Sequence, residues 1–219
     1  MTAERTAAYE AAEIILRHGA VYTRSTGDPF FFSSGWASPI FIDVKRLISF
    51  PEARSRLLQL SIEKIDTTFG EGRFDLIAGC ELAGVPFASA VADRKGLPLV
   101  VVLKQGRGFG RLAQFEGTFA PGSRTLLFDD LTTDGRTKVT FRAALEAAEA
   151  EVIGSFVLLD YAIFPGAQRL TCLLTLDDII HVAEDNDHLD RATLAEIKNF
   201  ARNASAWSRR HGGISTLTS

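Results

Sequence analysis

Two adjacent carboxylates and three hydroxyl side chains stand close together in the segment TLLFDDLTTDGRTK. Asp129 and Asp130 end an apolar run, and Thr132, Thr133 and Thr137 follow them before a predicted helix. Carboxylates suit sugar hydroxyls or a magnesium ion, whereas hydroxyl groups and the free main-chain N–H groups of a helix N-terminus suit a phosphate. The spacing therefore favours a site for a phosphorylated ribose, with the acids at the sugar and the threonines at its phosphate.

This segment and a nearby glycine-rich stretch also suggest other interpretations. The segment could be an ordinary helix cap, with Asp130 or Thr133 as the cap and Asp129 solvated. A P-loop is excluded, because no Gly-Lys-Ser/Thr follows the apolar run. The residues GRGFG, 106–110, precede Asp129 by about twenty positions, which superficially matches a nicotinamide dinucleotide fingerprint. That interpretation lacks its crossover helix, since RLAQFEGTFAPG contains glycines, a proline and no apolar helical stripe.

Short apolar runs alternate with helical patterns along most of the chain. Helices are predicted at residues 7–18, from Pro51 with an apolar stripe to Phe69, and at about 83–95, 135–150, 176–184 and 190–202. Strands are predicted at residues 74–79, 97–103, 124–129, 152–160 and 169–176. Continuous apolar strands separated by helices are typical of a parallel sheet that is covered on both faces. Ligands of such sheets bind at the carboxyl ends of the strands, where Asp129 and Asp130 are expected to lie.

The composition is that of a globular α/β protein with a single domain, residues 1–219. Hydrophobic residues make up 46% and charged residues 23%, and the net charge of -3 gives no reason to expect nucleic-acid or membrane binding. Glu4, Glu10 and Glu13 interrupt the apolar segment that a signal peptide needs, and the longest apolar run, 97–103, is too short to span a membrane. We therefore expect a cytoplasmic protein.

The acid and threonine segment resembles the signature with which type I phosphoribosyltransferases bind phosphoribosyl pyrophosphate. That signature has a hydrophobic run, two acids, two variable residues, a threonine, a small residue and a glycine. In this chain the acids, Thr133 and Gly135 match it. Asp134 and Arg136 depart from it, because small residues are commoner at those positions. Four other segments resemble the orotate phosphoribosyltransferase family, in the same order: FFFSSGWASPIFIDVKRLISFPEAR, IAGCELAGVPFASAVADRKGLPLVVV, LKQGRGFGRLAQFEG and AWSRRHGG.

The resemblance covers nearly the whole chain and implies both a fold and a reaction. The implied fold is a type I phosphoribosyltransferase-like core at about 50–165, a central mostly parallel sheet flanked by helices, with a small hood from about 20–48 and 165–210. The implied reaction moves the 5-phosphoribosyl group from phosphoribosyl pyrophosphate to orotate, giving orotidine 5'-phosphate and diphosphate in pyrimidine (UMP) biosynthesis. The family also implies Mg2+ as cofactor and a homodimer whose active sites are shared between the subunits.

The resemblance assigns two loops to phosphoribosyl pyrophosphate. The residues implied for the diphosphate are Cys80, Glu81, Leu82, Ala83 and Gly84. Those implied for the ribose 5-phosphate are Asp129, Asp130, Leu131, Thr132, Thr133, Asp134, Gly135, Arg136 and Thr137. Asp129 and Asp130 would hold the ribose diol and the magnesium ion, the ion mainly through water or the substrate. The residues implied for orotate, with neighbouring phenylalanines, are Ser34, Gly35, Ser38 and Thr133, although a plain aromatic hairpin is the alternative for their segment.

The segment LKQGRGFGRLAQFEG stands in the place of the family's mobile catalytic loop. Lys104 matches the family's usual pattern, Arg-Lys-x-x-Lys-x-His-Gly, and Arg107 takes the place of its second lysine. Arg111 is an additional cation. The catalytic residues implied by the resemblance are Lys104, Arg107 and Arg111. Glycines at positions 106, 108 and 110 predict a mobile loop. A solvated basic loop without a catalytic role is the alternative.

Three positions depart from the family's basic pattern. Leu103 stands where arginine is usual, Phe109 where histidine is usual, and Ser33 where a lysine is frequent. These departures leave open a catalytically impaired paralogue that binds phosphoribosyl pyrophosphate without turnover. A phosphoribosyltransferase for a different base is also open, because base specificity depends on few contacts.

Overall fold

The computed structural model describes residues 3–107, 109–167 and 170–216. Its helices are α1 (Ala3–Arg17), α2 (Pro51–Phe69), α3 (Val85–Lys95), α4 (Arg136–Ala147), α5 (Leu176–Asp185), α6 (Arg191–Arg202) and α7 (Ala204–Arg210), with a 3-10 helix at Val44–Ser49. Its strands are β1 (Val21–Thr23), β2 (Phe30–Phe31), β3 (Ala37–Ser38), β4 (Ile40–Ile42), β5 (Leu76–Cys80), β6 (Leu99–Val102), β7 (Phe115–Glu116), β8 (Arg124–Thr132), β9 (Glu151–Asp160) and β10 (Thr171–Thr175). None of the helices in these ranges has the length and apolar character that a membrane crossing requires.

Six strands form the large sheet, in the order β10-β9-β8-β5-β6-β7. Every neighbouring pair in it is parallel except β6 with β7. Helix α3 connects β5 to β6, and helix α4 connects β8 to β9. The mostly parallel sheet flanked by helices that the sequence predicts is confirmed, and it brings the carboxyl ends of β5, β8 and β9 to one edge.

Both faces of the large sheet are covered, which explains why its strands are continuous apolar runs. Successive side chains of a strand point to opposite faces. On β5, Leu76 and Ala78 belong to the apolar cluster that contains Phe141 of α4. The residue between them, Ile77, belongs to the larger cluster that contains Phe87 of α3. The two clusters hold β5 and β8 rigidly, so the loops that follow these strands start from fixed positions.

Two small antiparallel sheets, β1 with β4 and β2 with β3, form the N-terminal segment. Helix α7 packs against β3. The main-chain N–H of Ala37 donates to Ser208 Oγ at 2.9 Å, and the N–H of Ile214 donates to the carbonyl of Gly35 at 3.0 Å. The C-terminal helix and the residues after it therefore support the N-terminal segment directly.

Some element bounds differ from the sequence-based prediction. Strand β8 runs past Asp129 as far as Thr132, because β9 pairs with it up to Asp160. The predicted helix at 135–150 ends at Ala147. Helix α7 has no counterpart in the prediction, although the Asn203 side chain caps it by accepting from the N–H of Ala206. The predicted start of the last strand, Arg169, lies outside the described residues.

Candidate active site

A cavity of about 870 Å³ opens where β5 and β8 end. Residues assigned to the site from the sequence line it from three separate segments: Glu81, Leu82, Ala83, Lys104, Asp129, Asp130, Leu131, Thr132, Thr133, Asp134, Gly135 and Thr137. Other assigned residues lie outside the lining: Ser34, Gly35, Ser38, Cys80, Gly84, Arg107, Arg111 and Arg136. The fold thus places the two loops assigned to phosphoribosyl pyrophosphate around one cavity. The assigned serine and arginine side chains lie outside its lining.

The two acids lie on the last residues of β8 and are both buried, with 6% of Asp129 and 7% of Asp130 exposed. Asp129 Oδ1 accepts a hydrogen bond from the main-chain N–H of Asp130 at 2.9 Å. Asp129 Oδ2 lies 2.5 Å from Lys138 Nζ. Both carboxylate oxygens of Asp129 therefore have partners within the protein. Of the two acids, Asp129 is the one that forms the ion pair with Lys138.

Lys138 is a site residue that sequence reasoning missed. It is the third residue of α4, it lines the cavity, and only 8% of it is exposed. A cation in the first turn of a helix opposes the helix dipole, so such a residue needs a compensating anion nearby. That unfavourable placement was the available signal, and Asp129 is the anion that explains it.

Burial sets the protonation behaviour of the acids and the lysine. Burial raises the pKa of Asp130 to about 7, the charge of Asp129 adds to the rise, and the charge of Lys138 opposes it. Burial by itself lowers the pKa of Lys138, but the charge and hydrogen bond of Asp129 outweigh burial, so this pKa lies above its ordinary value. Burial, followed by the charge of Asp129, raises the pKa of the Cys80 thiol well above its ordinary value. Cys80 is therefore an inert buried thiol beneath the site.

The threonine loop joins β8 to α4 as the sequence predicts. Thr132, Thr133 and Thr137 all line the cavity. Asp134 turns inward: its Oδ1 accepts from the main-chain N–H of Arg136 at 3.3 Å, and its buried Oδ2 has no hydrogen-bond partner among the described residues. The loop thus presents hydroxyl groups and the N-terminus of α4 to the cavity, which is a favourable environment for a phosphate.

The loop after β5 packs directly on β8. A Cβ atom on Gly84 would lie 2.6 Å from Asp129 Oδ1 and 2.8 Å from its Cα, so no side chain fits at this position. Cys80 is fully buried at the end of β5. Glu81, Leu82 and Ala83 line the cavity, with 77% of Leu82 exposed. The close approach at Gly84 places this loop beside the acid pair.

Aromatic side chains form the opposite wall of the cavity. Phe31, Phe32, Phe41 and Tyr161 line it. The rings of Phe32 and Tyr161 meet edge-to-face with centroids 5.4 Å apart. Tyr161 Oη accepts from the main-chain N–H of Ile42 at 3.2 Å. Tyr161 was missed from the sequence, and its position directly after the apolar run of β9 was the available signal.

The polar residues assigned to orotate stand behind this wall. Ser38 is fully buried, and its hydroxyl donates to the carbonyl of Ile40 at 2.7 Å. Ser34 Oγ is buried and has no hydrogen-bond partner among the described residues. The carbonyl of Gly35 accepts from Ile214. Two other serines of this segment, Ser33 and Ser49, line the cavity, together with Thr133 on the other side.

The segment assigned to the catalytic loop leaves β6 and returns as β7. Glu81 holds its first residues: its Oε2 accepts from the main-chain N–H of Lys104 at 2.7 Å, and its Oε1 lies 2.8 Å from Arg107 Nη2. Lys104 is exposed and lines the cavity. Arg111 donates instead to the carbonyls of Ala148 and Phe119, both at 2.6 Å.

Two of the departures from the family's basic pattern lie in different surroundings. Leu103 is 4% exposed, so it belongs to the core at the end of β6. Phe109 is fully exposed at the tip of the loop. Gly106 and Gly110 flank this tip within the described residues, and Gly108 lies outside them. The cationic loop residues nearest the cavity are thus Lys104, in its lining, and Arg107, held beside it.

Comparisons with known proteins place these features in one family. A family model described as "Phosphoribosyl transferase domain" matches residues 52–182. The chain is 38% identical over 201 residues to an orotate phosphoribosyltransferase of Allorhizobium ampelinum, covering 88% of this chain and 87% of the relative. It is 40% identical over 200 residues to an orotate phosphoribosyltransferase of Rhizobium etli, covering 89% of this chain and 87% of the relative.

Solved structures show the same fold. A crystal structure of orotate phosphoribosyltransferase from Aeropyrum pernix aligns with a TM-score of 0.64 and 26% identity, covering 80% of this chain and 98% of that one. The structure of Leishmania donovani UMP synthase aligns with a TM-score of 0.72 and 25% identity, covering 90% of this chain and 42% of that one.

Proposed function

The chain belongs to the orotate phosphoribosyltransferase family, and from that premise we propose that it transfers the 5-phosphoribosyl group from phosphoribosyl pyrophosphate to orotate. The products are orotidine 5'-phosphate and diphosphate, a step of pyrimidine (UMP) biosynthesis that we place in the cytoplasm. The observation that carries the proposal is the single cavity in which the acid pair of β8, the threonine loop before α4 and an aromatic wall face one another.

The ribose 5-phosphate is assigned to the start of α4. Thr133 and Thr137 line the cavity there, and the first main-chain N–H groups of a helix have no acceptors within it. Asp130, at the end of β8, faces the position of the ribose hydroxyls. An acid on the sugar and donors on the phosphate match the charge of each part of the donor.

The diphosphate is assigned to the loop after β5. Glu81, Leu82 and Ala83 line the cavity next to the acid pair. Orotate N1 gives up its proton and forms a bond to C1 of the ribose, as the bond from C1 to the diphosphate oxygen breaks and the diphosphate leaves with the bonding electrons. The transition state is cation-like at C1 and gathers negative charge on the departing diphosphate, so positioning and cationic stabilisation supply most of the catalysis. The aromatic wall, which includes Phe32 and Tyr161, would hold the flat base for this attack.

Loop cations would stabilise the leaving diphosphate. Lys104 lines the cavity, and Arg107 is paired with Glu81 in the diphosphate loop, so both lie close to where the charge develops. Arg111 would join them only after its hydrogen bonds to Ala148 and Phe119 break. Loss of one such cation lowers the rate by about a hundred- to a thousand-fold in comparable sites.

Magnesium fits this donor set when it arrives with the substrate. No cluster of three or more His, Cys, Asp or Glu side chains suited to a metal occurs within the described ranges. Mg2+ often keeps several waters and binds through one or two carboxylates together with substrate phosphates. Asp130 would contact the ion through water or through the ribose diol. When bound, the ion neutralises charge on the diphosphate.

We also propose a homodimer in which the loop from Lys104 to Gly110 serves the neighbouring subunit's site. The support is the resemblance of this segment to the family's mobile loop, and the exposed ring of Phe109 at its tip is available for contact with a second surface. Small-angle scattering of the free protein tests the dimer, and a monomer would contradict it.

The reaction itself is tested by mixing protein, Mg2+, orotate and phosphoribosyl pyrophosphate and following the ultraviolet absorbance of orotate. We expect the absorbance to fall with the wild-type protein and to stay nearly constant with Asp130→Asn. Donor binding without any loss of absorbance would indicate the impaired paralogue. Turnover of adenine, hypoxanthine or uracil, with none of orotate, would establish a phosphoribosyltransferase for a different base.

A further inference from the structure

Lys138 is the buried cation of the donor cavity. Within the described residues, the cavity is lined by three cationic side chains, those of Lys45, Lys104 and Lys138. Lys45 is 52% exposed and paired with Asp43, and Lys104 is exposed on the loop. The Lys138 side chain is only 10% exposed and its partner carboxylate 8%. Lys138 is therefore held in a buried ion pair, whereas the other two cations are exposed to solvent.

The ion pair of Lys138 divides the two acids. Asp129 has one oxygen on Lys138 and the other on the main-chain N–H of Asp130. Asp130 makes no ion pair anywhere in the described part of the chain, although it is as deeply buried and lines the same cavity. The two acids are adjacent in sequence, but the carboxylate of Asp130 is available to a ligand, whereas both oxygens of Asp129 already have partners.

Stability alone is a weak reason for such a pair. A buried ion pair is often no more stabilising than apolar residues of the same volume, because removing both charges from water is costly. Two neighbouring buried carboxylates also repel each other and any phosphate brought between them. A fixed cation on one of them lowers that repulsion before a donor with a 5-phosphate and a diphosphate enters.

We propose that Lys138 is a positioning residue of the donor pocket that neutralises and orients Asp129, so that Asp130 alone binds the ribose hydroxyls. The inference deepens the proposed function and rests on it, since it names which acid meets the donor. Asp129 then serves as the support of Gly84 and of the diphosphate loop, on which its carboxylate is packed.

A consequence concerns divalent cations in the absence of donor. With Lys138 present, the acid pair carries one compensated charge, so it has little affinity for a free metal ion. Replacing Lys138 by methionine removes the cation that competes with a metal ion for Asp129. The Lys138→Met protein is therefore expected to bind Mn2+ without substrate, at least tenfold more tightly than the wild type, as measured by electron paramagnetic resonance.

The main test is calorimetry with phosphoribosyl pyrophosphate and Mg2+ on Lys138→Met, Lys138→Arg and the double variant Asp129→Asn with Lys138→Met. We expect the dissociation constant to rise about tenfold or more in Lys138→Met, because one partner of a buried pair is left alone. Lys138→Arg keeps the charge and should recover part of the affinity. The double variant removes both charges and should recover most of it.

Lys95→Met is the matched control, because Lys95 forms a comparable pair with Asp66 at 2.6 Å, with 12% of the lysine exposed, outside the cavity. It should lower the melting temperature and leave donor affinity unchanged. A Lys138→Met protein that behaves in the same way, or a double variant no better than the single one, would overturn the proposal.

If Lys138→Met does not fold, single asparagine variants of the two acids decide the matter. Asp130→Asn should weaken donor binding by at least tenfold more than Asp129→Asn, and equal losses would contradict the division of roles. Failure of the proposed function has a separate readout, since the wild-type protein would then leave orotate absorbance unchanged whatever the Lys138 variants do to donor affinity.

Discussion

The hydroxyl of Ser208 on α7 accepts a hydrogen bond from the main-chain N–H of Ala37 at 2.9 Å, although 171 residues separate the two. A Cβ atom on Gly213 would lie 2.4 Å from both the nitrogen of Ala37 and Ser208 Oγ, so the chain passes too close for any side chain there. This contact fixes the segment that carries Phe31 and Phe32 into the cavity. The C-terminal segment is thus part of the support of the aromatic wall.

Replacing Ser208 by alanine should loosen that wall. The buried N–H of Ala37 loses its acceptor, which lowers the free energy of unfolding by about 1–3 kcal/mol. We expect KM for orotate to rise several-fold while KM for phosphoribosyl pyrophosphate stays within twofold, since the donor loops are on β5 and β8. Steady-state kinetics with each substrate varied in turn measures both constants.

Ser205→Ala is the control for the previous substitution. Ser205 also lies on α7, but its hydroxyl donates to the carbonyl of Ser215 and does not reach the N-terminal segment. It should leave both KM values unchanged. A rise of KM for the donor that equals the rise for orotate in Ser208→Ala would show that the C-terminal helix supports the whole site and not the aromatic wall.

Neutralising Glu81 should favour donor binding. Glu81 is an anion in the diphosphate loop, and it holds Arg107 through a pair whose arginine is 68% exposed. The pair contributes at most about 1 kcal/mol to stability, so Glu81→Gln should fold normally. Removing the negative charge and releasing Arg107 should lower KM for phosphoribosyl pyrophosphate several-fold, measured at saturating orotate.

A matched control for Glu81→Gln is Asp75→Asn, which breaks the exposed pair of Asp75 with Arg124 at the opposite end of β8. It should leave KM unchanged. If Glu81→Gln instead raises KM for the donor, the hydrogen bond from Glu81 to the Lys104 main chain is needed to position the loop, and the repulsion argument is wrong.

The position of the acid and threonine segment in the fold was predictable because its pattern is contiguous in the sequence. A strand end, two acids and a hydroxyl-rich helix start are contiguous in sequence, and in the structure they line one cavity. The sheet was predictable for a related reason, since strands buried on both faces are continuous apolar runs. Most of the fold could therefore be predicted from local sequence order and from the burial of the strands.

Residues whose role depends on distant packing were not predictable. Lys138 reads as an ordinary polar residue of α4 until its burial against Asp129 is known. Ser38 reads as a binding residue, yet β3 turns it inward because α7 packs against this strand. Tyr161 gains its place from an edge-to-face contact with Phe32, which lies 129 positions earlier in the sequence. The sequence holds a weak signal for Lys138 and for Tyr161, but each of these outcomes is set by a tertiary contact that single-sequence patterns do not contain.

The buried Asp130 should make stability fall as pH rises. Its pKa is raised to about 7 from an ordinary value of 3.8, so between these values the folded protein binds the proton and the unfolded chain releases it. The free energy of unfolding should decrease with pH across this window and level off above pH 7, by no more than about 4 kcal/mol from this group. Urea unfolding at intervals from pH 4 to pH 8 measures the slope.

Asp130→Asn isolates this contribution. Asparagine stays neutral at every pH, so the variant should lose the downward slope and be more stable than the wild type above pH 7. An unchanged slope in the variant would mean that Asp130 ionises normally in the folded protein. Asp75→Asn, at an exposed pair far from the cavity, provides the baseline for a surface acid.

Sharing of the loop between subunits predicts complementation between two inactive variants. Lys104→Ala removes the loop cation, and Asp130→Asn removes the acid that faces the ribose. If Lys104 serves the neighbour, a mixed dimer holds one site with both substitutions and one site with neither. Dimers purified through two different tags after co-expression contain one subunit of each kind, so they should have about half of wild-type activity. If each loop serves its own cavity, every site in the mixed dimer carries one substitution, and activity should remain at the level of the separate variants.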